Sequence, residues 1–193
     1  MIVFAVSSKK NNLKGIVVNA SGMYSDPSTS KIVELLRNKV QKTMPIKRNE
    51  FLKSISQEHH HGLLICWKIR TGLKKKIEPE RIKRYIDWFW ETHLKQHFKI
   101  EEKYIFPILG NEHELVKKAL AEHRRLNRLF EAITEHLKNL SSIAEELESH
   151  IRFEERILFN EIQNNATTDQ LERVKQYHSN DKFVDNLTDP FWE

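Results

Sequence analysis

Apolar residues recur every three to four positions through most of the chain from Asn49 onward, and after Met44 no two-residue alternation competes with them. The pattern predicts long amphipathic helices separated by short breaks. The first runs from about Asn49 to Gly72. The second starts at Pro79, whose missing N–H suits a first helical position, and ends around Pro107 and Gly110. A third is expected from Asn111, a good N-cap, to about Leu140. Ser142, with Glu145 three residues later, forms a capping box that would open a fourth helix reaching about Gln163. A short fifth helix is expected from Thr167, where Gln170 stands three residues on. Four such helices with short connections predict an all-α, up-down-up-down four-helix bundle with a short C-terminal helix.

Before Met44 the pattern is different. Residues 1–30 hold short β-branched runs, Ile2-Val3 and Ile16-Val17-Val18, among Ser, Asn, Gly and Pro, and Lys31 to Thr43 suits a short helix. No domain-sized core is visible there. Residues 1–43 are therefore expected to be an irregular, poorly ordered N-terminal extension or the product of a misassigned start, and residues 44–193 the folded domain.

Two segments of the helical region repeat: His97-Phe-Lys-Ile-Glu101-Glu102 and His150-Ile-Arg-Phe-Glu154-Glu155. A second pair, Glu58-His59 and Glu122-His123, falls on the first and third helices, so two helix types alternate. Residues four apart share a helical face, so His97/Glu101 and His150/Glu154 each aim an imidazole and a carboxylate in one direction. Those faces continue through Trp90, Leu94, Ile105 and Ile108 on the second helix, and through Ile143, Leu147, Ile151 and Leu158 on the fourth. Glu102 and Glu155 are turned by about 100° toward the bundle edge. On the first helix His59 begins an apolar stripe through Gly62, Leu63, Cys66, Ile69 and Leu73, whereas the stripe from His60 runs into Arg70 and Lys74. His59 is favoured, and His60 is the alternative. His59 also matches His123, whose face continues through Leu126, Phe130 and Ile133. His93, one turn before His97, is a spare candidate; His60, His61, His113, His136 and His178 are expected on solvated faces or near helix ends.

Composition narrows the chemistry. Ten histidines stand beside one cysteine, Cys66, which excludes a disulfide framework, a Cys-rich zinc module and an iron–sulfur cluster held by this chain alone. Two buried carboxylates among four imidazoles would be costly without a cation. Four imidazoles and two carboxylates are too many for four-coordinate zinc and suit a dinuclear site in which Glu101 and Glu154 bridge two ions. With two histidines, two carboxylate oxygens and a bridging oxo or hydroxo group on each iron, one position per iron stays open. Such positions bind dioxygen, nitric oxide or peroxide, which points to redox chemistry rather than hydrolysis. A ferritin-like site would need two Glu-x-x-His motifs, and the only such spacing is Glu58 to His61.

The formal net charge is +5, but residues 1–50 carry 9 basic and 3 acidic side chains, leaving 32 − 9 = 23 against 27 − 3 = 24 for the rest. A near-neutral body without a basic stripe argues against nucleic acid as a partner. No apolar run approaches the ~20 residues of a spanning helix, and the opening lacks the features of a secretory signal. A cytoplasmic protein without membrane contact is expected. Lys74, Lys75 and Lys76 read as a solvated helix end, and Cys66 as a small apolar core residue.

Through these motifs the chain, from about Phe51 to Gln163, resembles the hemerythrin-like, HHE cation-binding family. The resemblance implies a four-helix bundle around a non-haem, oxo-bridged di-iron centre, with ligands at His59, His97, Glu101, His123, His150 and Glu154. Oxygen-carrying hemerythrins place a His-x-x-x-His pair on the third helix, whereas His123 has Ala119 and Asn127 one turn away. They also carry an acid five residues after the last histidine, a spacing that Glu155 fits as Glu154 fits four. The four-histidine set is similar to that of proteins repairing nitrosylated or oxidised iron centres, and to the iron-sensing hemerythrin domain of an F-box protein. The repair proteins usually add a cysteine-bearing N-terminal domain that is not seen here. The expected function is binding or sensing of dioxygen, nitric oxide or iron. One alternative is a redox enzyme reducing peroxide or nitric oxide, or delivering iron for cluster repair. Another is a metal-free helical interaction module docking through exposed Phe191 and Trp192. The sequence identifies no protein partner.

Overall fold

The computed structural model describes residues 2–8, 13–19, 49–177 and 183–193. The chain divides into two compact units, 1–46 and 47–193. In the first, β1 (Ile2–Ser8) and β2 (Leu13–Asn19) pair antiparallel. This corrects the expectation of irregular chain at those residues. The two β-branched runs are partners in the register, with Val3 opposite Val18, Phe4 opposite Val17 and Ala5 opposite Ile16, and β-branched residues favour extended backbone. The helix expected over 31–43 lies outside the described residues.

The second unit is all-helical among its described residues. Its first rod opens with a 3-10 turn, Glu50–Leu52, and continues as Lys53–Lys74. Lys76 adopts φ 57°, and the Ile77 N–H donates back to the Gly72 carbonyl at 3.0 Å while Lys76 N–H donates to Leu73. That closes the helix with the paired bonds normally built on a glycine. The second rod begins at Pro79 as expected and comprises Pro79–Phe89, a π turn Trp90–Leu94, Lys95–Ile100, a second π turn Glu101–Ile105 and a 3-10 turn Phe106–Ile108. Gly110, at φ 85°, marks its exit.

The third rod is Glu114–Phe130, capped by His113, whose Nδ1 accepts the Leu115 N–H at 3.2 Å; Asn111 is not the cap. It ends well before Leu140. The fourth rod starts at His136 and comprises His136–Phe153, a π turn Glu154–Leu158 and Phe159–Asn165. Ser142 is thus inside a helix, and the expected capping box does not form. Burial decides this: Leu140, Ile143, Ala144 and Leu147 form one inaccessible stripe, and a break at residue 141 would pull Leu140 from it. Because the third rod stops at Phe130, Ile133 is not on an inward face but 85% exposed. The short helix Thr168–Tyr177 carries the expected capping box, with Gln170 N–H donating to Thr167 Oγ1 and Thr167 N–H to Gln170 Oε1.

The rods bury two apolar clusters. One gathers Ile65, Ile69, Ile86, Leu126 and Leu147 near the connections at 75–78 and 131–135. The other gathers Leu52, Ile55, Phe106, Val116 and Ile162 toward the opposite end. Cys66 lies fully buried in the first, and burial pushes its thiol up to about 12. Among the described residues, no helix is long and apolar enough to cross a membrane.

The C-terminal segment corrects another expectation. Phe191 and Trp192 are not exposed docking residues: Phe191 is buried against the first two rods, and Trp192 is half-buried over the Lys68 ammonium, 3.5 Å from its ring. Lys68, itself buried, donates to Tyr85 Oη at 2.7 Å and pairs with Asp185, which also accepts from Tyr85. Arg81 grips Asp189 through two nitrogens. A Cβ on Gly72 would lie 2.8 Å from the Phe191 ring, so glycine there makes room for it. Replacing Phe191 by alanine is expected to cost about 3 kcal/mol, as for other emptied aromatic sites, read as a lower denaturant midpoint at constant slope. An unchanged midpoint would show that the segment is not anchored.

Candidate metal centre

Between the two apolar clusters lies a polar layer. All four rods contribute to it: His59 from the first, His97 and Glu101 from the second, His123 from the third, His150 and Glu154 from the fourth, each almost wholly buried. They form two overlapping groups able to hold a metal ion, His59, His97, Glu101 and Glu154 in one, and Glu101, His123, His150 and Glu154 in the other. Within each, one donor atom per residue lies within 4.8 Å of the rest.

The carboxylates stand between the histidines. Glu101 Oε1 is 3.2 Å from His97 Nε2 and 3.5 Å from His59 Nε2, while its Oε2 is 3.4 Å from His123 Nε2. Glu154 Oε2 is 3.2 Å from His59 Nε2 and 3.3 Å from His150 Nε2, and its Oε1 is 3.9 Å from His123 Nε2. Phe98 stacks on His123 at 3.7 Å between centroids and Phe159 on His59 at 5.4 Å, walling the layer with hydrocarbon.

The outer nitrogen of each histidine meets a carboxylate on a different rod. Glu58 reaches His97 Nδ1 at 2.6 Å, Glu102 reaches His123 at 2.8 Å, Glu122 reaches His150 at 2.8 Å and Glu155 reaches His59 at 2.7 Å. Rod one thus holds rod two, two holds three, three holds four, and four holds one. A carboxylate acceptor keeps the ring proton on Nδ1 and leaves the Nε2 lone pair pointing inward, the tautomer a metal needs. His123 Nε2 and His150 Nε2 lie 3.0 Å apart, so without a cation one of them must carry a proton that the other accepts. Among the described residues, His59 Nε2 and all four oxygens of Glu101 and Glu154 make only the imidazole–carboxylate contacts given above and no well-formed hydrogen bond. Buried imidazoles and carboxylates converging on one another are the expected signature of a site that takes up positive charge, as protons or as metal ions.

Of the sequence-based candidates, the structure brings together His59, His97, Glu101, His123, His150 and Glu154. His60 is exposed, and Glu155 lies outside the layer on His59 Nδ1 rather than in it. His93 does not join the layer; it lies 4.8 Å from the Phe183 ring, and His61 stacks on the same ring at 4.0 Å. The roles of Glu58 and Glu122 as outer partners were not read from the sequence. Their signal was present as the Glu-His pairs, but adjacency along a helix does not say which neighbouring rod the carboxylate will meet.

Without a cation the layer holds protons. Burial opposes the charged form of His97, but Glu101 and Glu58 outweigh it and raise the imidazole to about 9. Burial is likewise outweighed at His123 by Glu101 and Glu102, again to about 9, and at His59 by Glu101, Glu154 and Glu155. Burial would raise Glu101, yet the surrounding imidazoles hold it well below the ordinary carboxylate range. A histidine raised on folding stabilises the fold below its unfolded value near 6.5 and loses that contribution as pH climbs through its folded value. The chelated chain is therefore expected to melt at progressively lower temperature as pH rises from about 6.5 to 9, with the metal-loaded chain much less affected. Equal pH slopes with and without chelator would contradict this.

The chain belongs to the hemerythrin HHE cation-binding domain family, whose model matches residues 50–162. It has no match among curated proteins or among solved structures. Family and geometry agree on a metal-binding helical protein.

Proposed function

We propose that the polar layer holds two iron ions, His59 and His97 serving one, His123 and His150 the other, with Glu101 and Glu154 shared and an oxo or hydroxo group completing the bridge. The observation that carries this reading is the sharing itself: both four-residue groups contain the same two carboxylates. One ion would leave two imidazoles of the set without a cation, and a structural zinc takes four ligands. Mixed nitrogen and oxygen donors with no thiolate suit iron. When bound, the iron pair supplies reversible binding of, or electron transfer to, dioxygen or nitric oxide. The chain's residues hold and shield it: Glu58, Glu102, Glu122 and Glu155 fix the Nδ1 protons, and Phe98 and Phe159 keep water off the imidazole faces. On this reading the protein binds or senses a small diatomic molecule, or iron itself.

We also infer that the rods alternate in direction. The outer carboxylate precedes the histidine by one residue on the first and third rods (Glu58-His59, Glu122-His123) and follows it by five on the second and fourth (His97/Glu102, His150/Glu155). At 100° per residue these offsets are −100° and about +140° along each helix. Seen from one end of the bundle, rods of opposite direction turn both offsets the same way. Every carboxylate then points round the bundle in one sense, as the closed ring requires.

Metal analysis with optical spectra tests the reading. About two irons per chain are expected, with an oxo-to-iron charge-transfer band that disappears on reduction. His97→Ala and Glu101→Ala should each remove most of the metal and lower the melting temperature, because the remaining buried groups lose their counterpart. A single tightly held zinc, or no metal, would overturn it. Nitric oxide or peroxide consumed once per site marks a binder or sensor; repeated consumption would mark a redox enzyme.

A further inference from the structure

Where the first and second rods meet beside the polar layer, the C-terminal segment lays Phe183 across a groove between His61 and His93. At its floor Glu58, half-buried, holds His97 Nδ1. Above it stand His61 and His93, one on each rod, with the Phe183 ring stacked on His61 at 4.0 Å and tilted against His93 at 4.8 Å. Two residues on, Asp185 is tied to Lys68 and Tyr85, and beyond it Asp189 is gripped by Arg81 and Phe191 is buried. Phe183 is thus held in place from its C-terminal side by a salt bridge, a buried ring and a cation lying on Trp192. His61, His93 and Glu58 are nitrogen and oxygen donors suited to divalent iron, too dispersed to form a fixed site with the six inner residues. A different edge, at Glu122, carries the Lys118 ammonium 3.7 Å from the carboxylate, which repels an approaching cation.

We propose that this groove is the path by which ferrous iron reaches and leaves the polar layer, with His61 and His93 as transfer ligands and Phe183 as its roof. The inference rests on the iron reading above and adds to it a route and a barrier. Iron passes by ligand exchange, from the two outer imidazoles to Glu58 and then to the inner histidines, with no change of oxidation state. The strap made by residues 183–193 sets how readily that exchange occurs, because Phe183 must lift from His61 before a hydrated ion can enter.

The test uses the full chain loaded with ferrous iron under anaerobic, reducing conditions, and follows iron release to a ferrous chelator and iron uptake by the stripped protein. Phe183→Ala is expected to release iron roughly five-fold faster, the rate equivalent of one lost ring–ring contact, with the same iron content at saturation. The double variant His61→Ala, His93→Ala is expected to take up iron several-fold more slowly to the same final content. Circular dichroism and melting curves check that both variants fold, and Lys118→Met reports on the Glu122 edge. Unchanged release and uptake in the groove variants, or a faster uptake in Lys118→Met alone, would overturn the route while leaving the iron centre intact. A wild-type chain that takes up no iron would remove the centre and the route together.

Discussion

Two carboxylates, Glu101 and Glu154, lie at the middle of the helical unit with no solvent exposure, and the rest of the unit is arranged around that fact. An ionised carboxylate in such a place costs several kcal/mol unless opposite charge and directed donors surround it. Four imidazoles supply the surroundings, and each of these is itself oriented by a carboxylate from the next rod. The ring of links from Glu58, Glu102, Glu122 and Glu155 is closed, so each rod is held by its neighbours on both sides. Sliding one rod by a turn would break two links at once and strand a buried imidazole or carboxylate. Apolar packing alone tolerates such slips far better, since one leucine can replace another.

The layer also organises the hydrophobic core. Apolar residues do not surround it evenly but divide into a cluster on each side, one including Ile65, Leu126 and Leu147, the other Phe106, Val116 and Ile162. Low dielectric above and below strengthens every interaction within the layer. It also explains why the histidines are stacked by rings: Phe98 on His123 and Phe159 on His59 bring hydrocarbon against imidazole faces while the ring edges stay free for carboxylates.

Much of this was legible from the repeat alone. His97-x-x-x-Glu101 and His150-x-x-x-Glu154 on apolar faces identify which side chains must meet, because burial of charge is expensive and a helical face is fixed by spacing. The choice of His59 over His60 followed from the stripe below it. What the sequence obscured had a common cause in tertiary contact. Ser142 offered a local cap, yet the buried stripe from Leu140 to Leu147 was worth more than one capping bond. Phe191 and Trp192, near the chain end, look like loose aromatics until Gly72, Tyr85 and the buried Lys68 are placed beneath them. The hairpin was hidden for another reason: Val3 and Val18 are good strand residues, but their pairing is visible only once the register is known.

The π turns complete the account of the spacing. On the fourth rod His150, Glu154, Leu158 and Ile162 are all buried at strict intervals of four, and on the second His97, Glu101 and Ile105 repeat the pattern. In an uninterrupted α-helix each step of four overshoots a full turn by about 40°, so three steps would carry Ile162 well off the face that His150 occupies. A π turn takes one more residue per turn and gives that rotation back. The turns begin at Glu101 and Glu154 themselves, with Phe106 N–H and Phe159 N–H donating five residues back to their carbonyls. Both inner carboxylates therefore sit where the helix changes register, and the same backbone adjustment that aims them inward returns the following apolar residues to the core. A run of polar and apolar inward positions spaced by four, longer than two turns, is thus a sequence signal for a π turn that a simple helical wheel does not register.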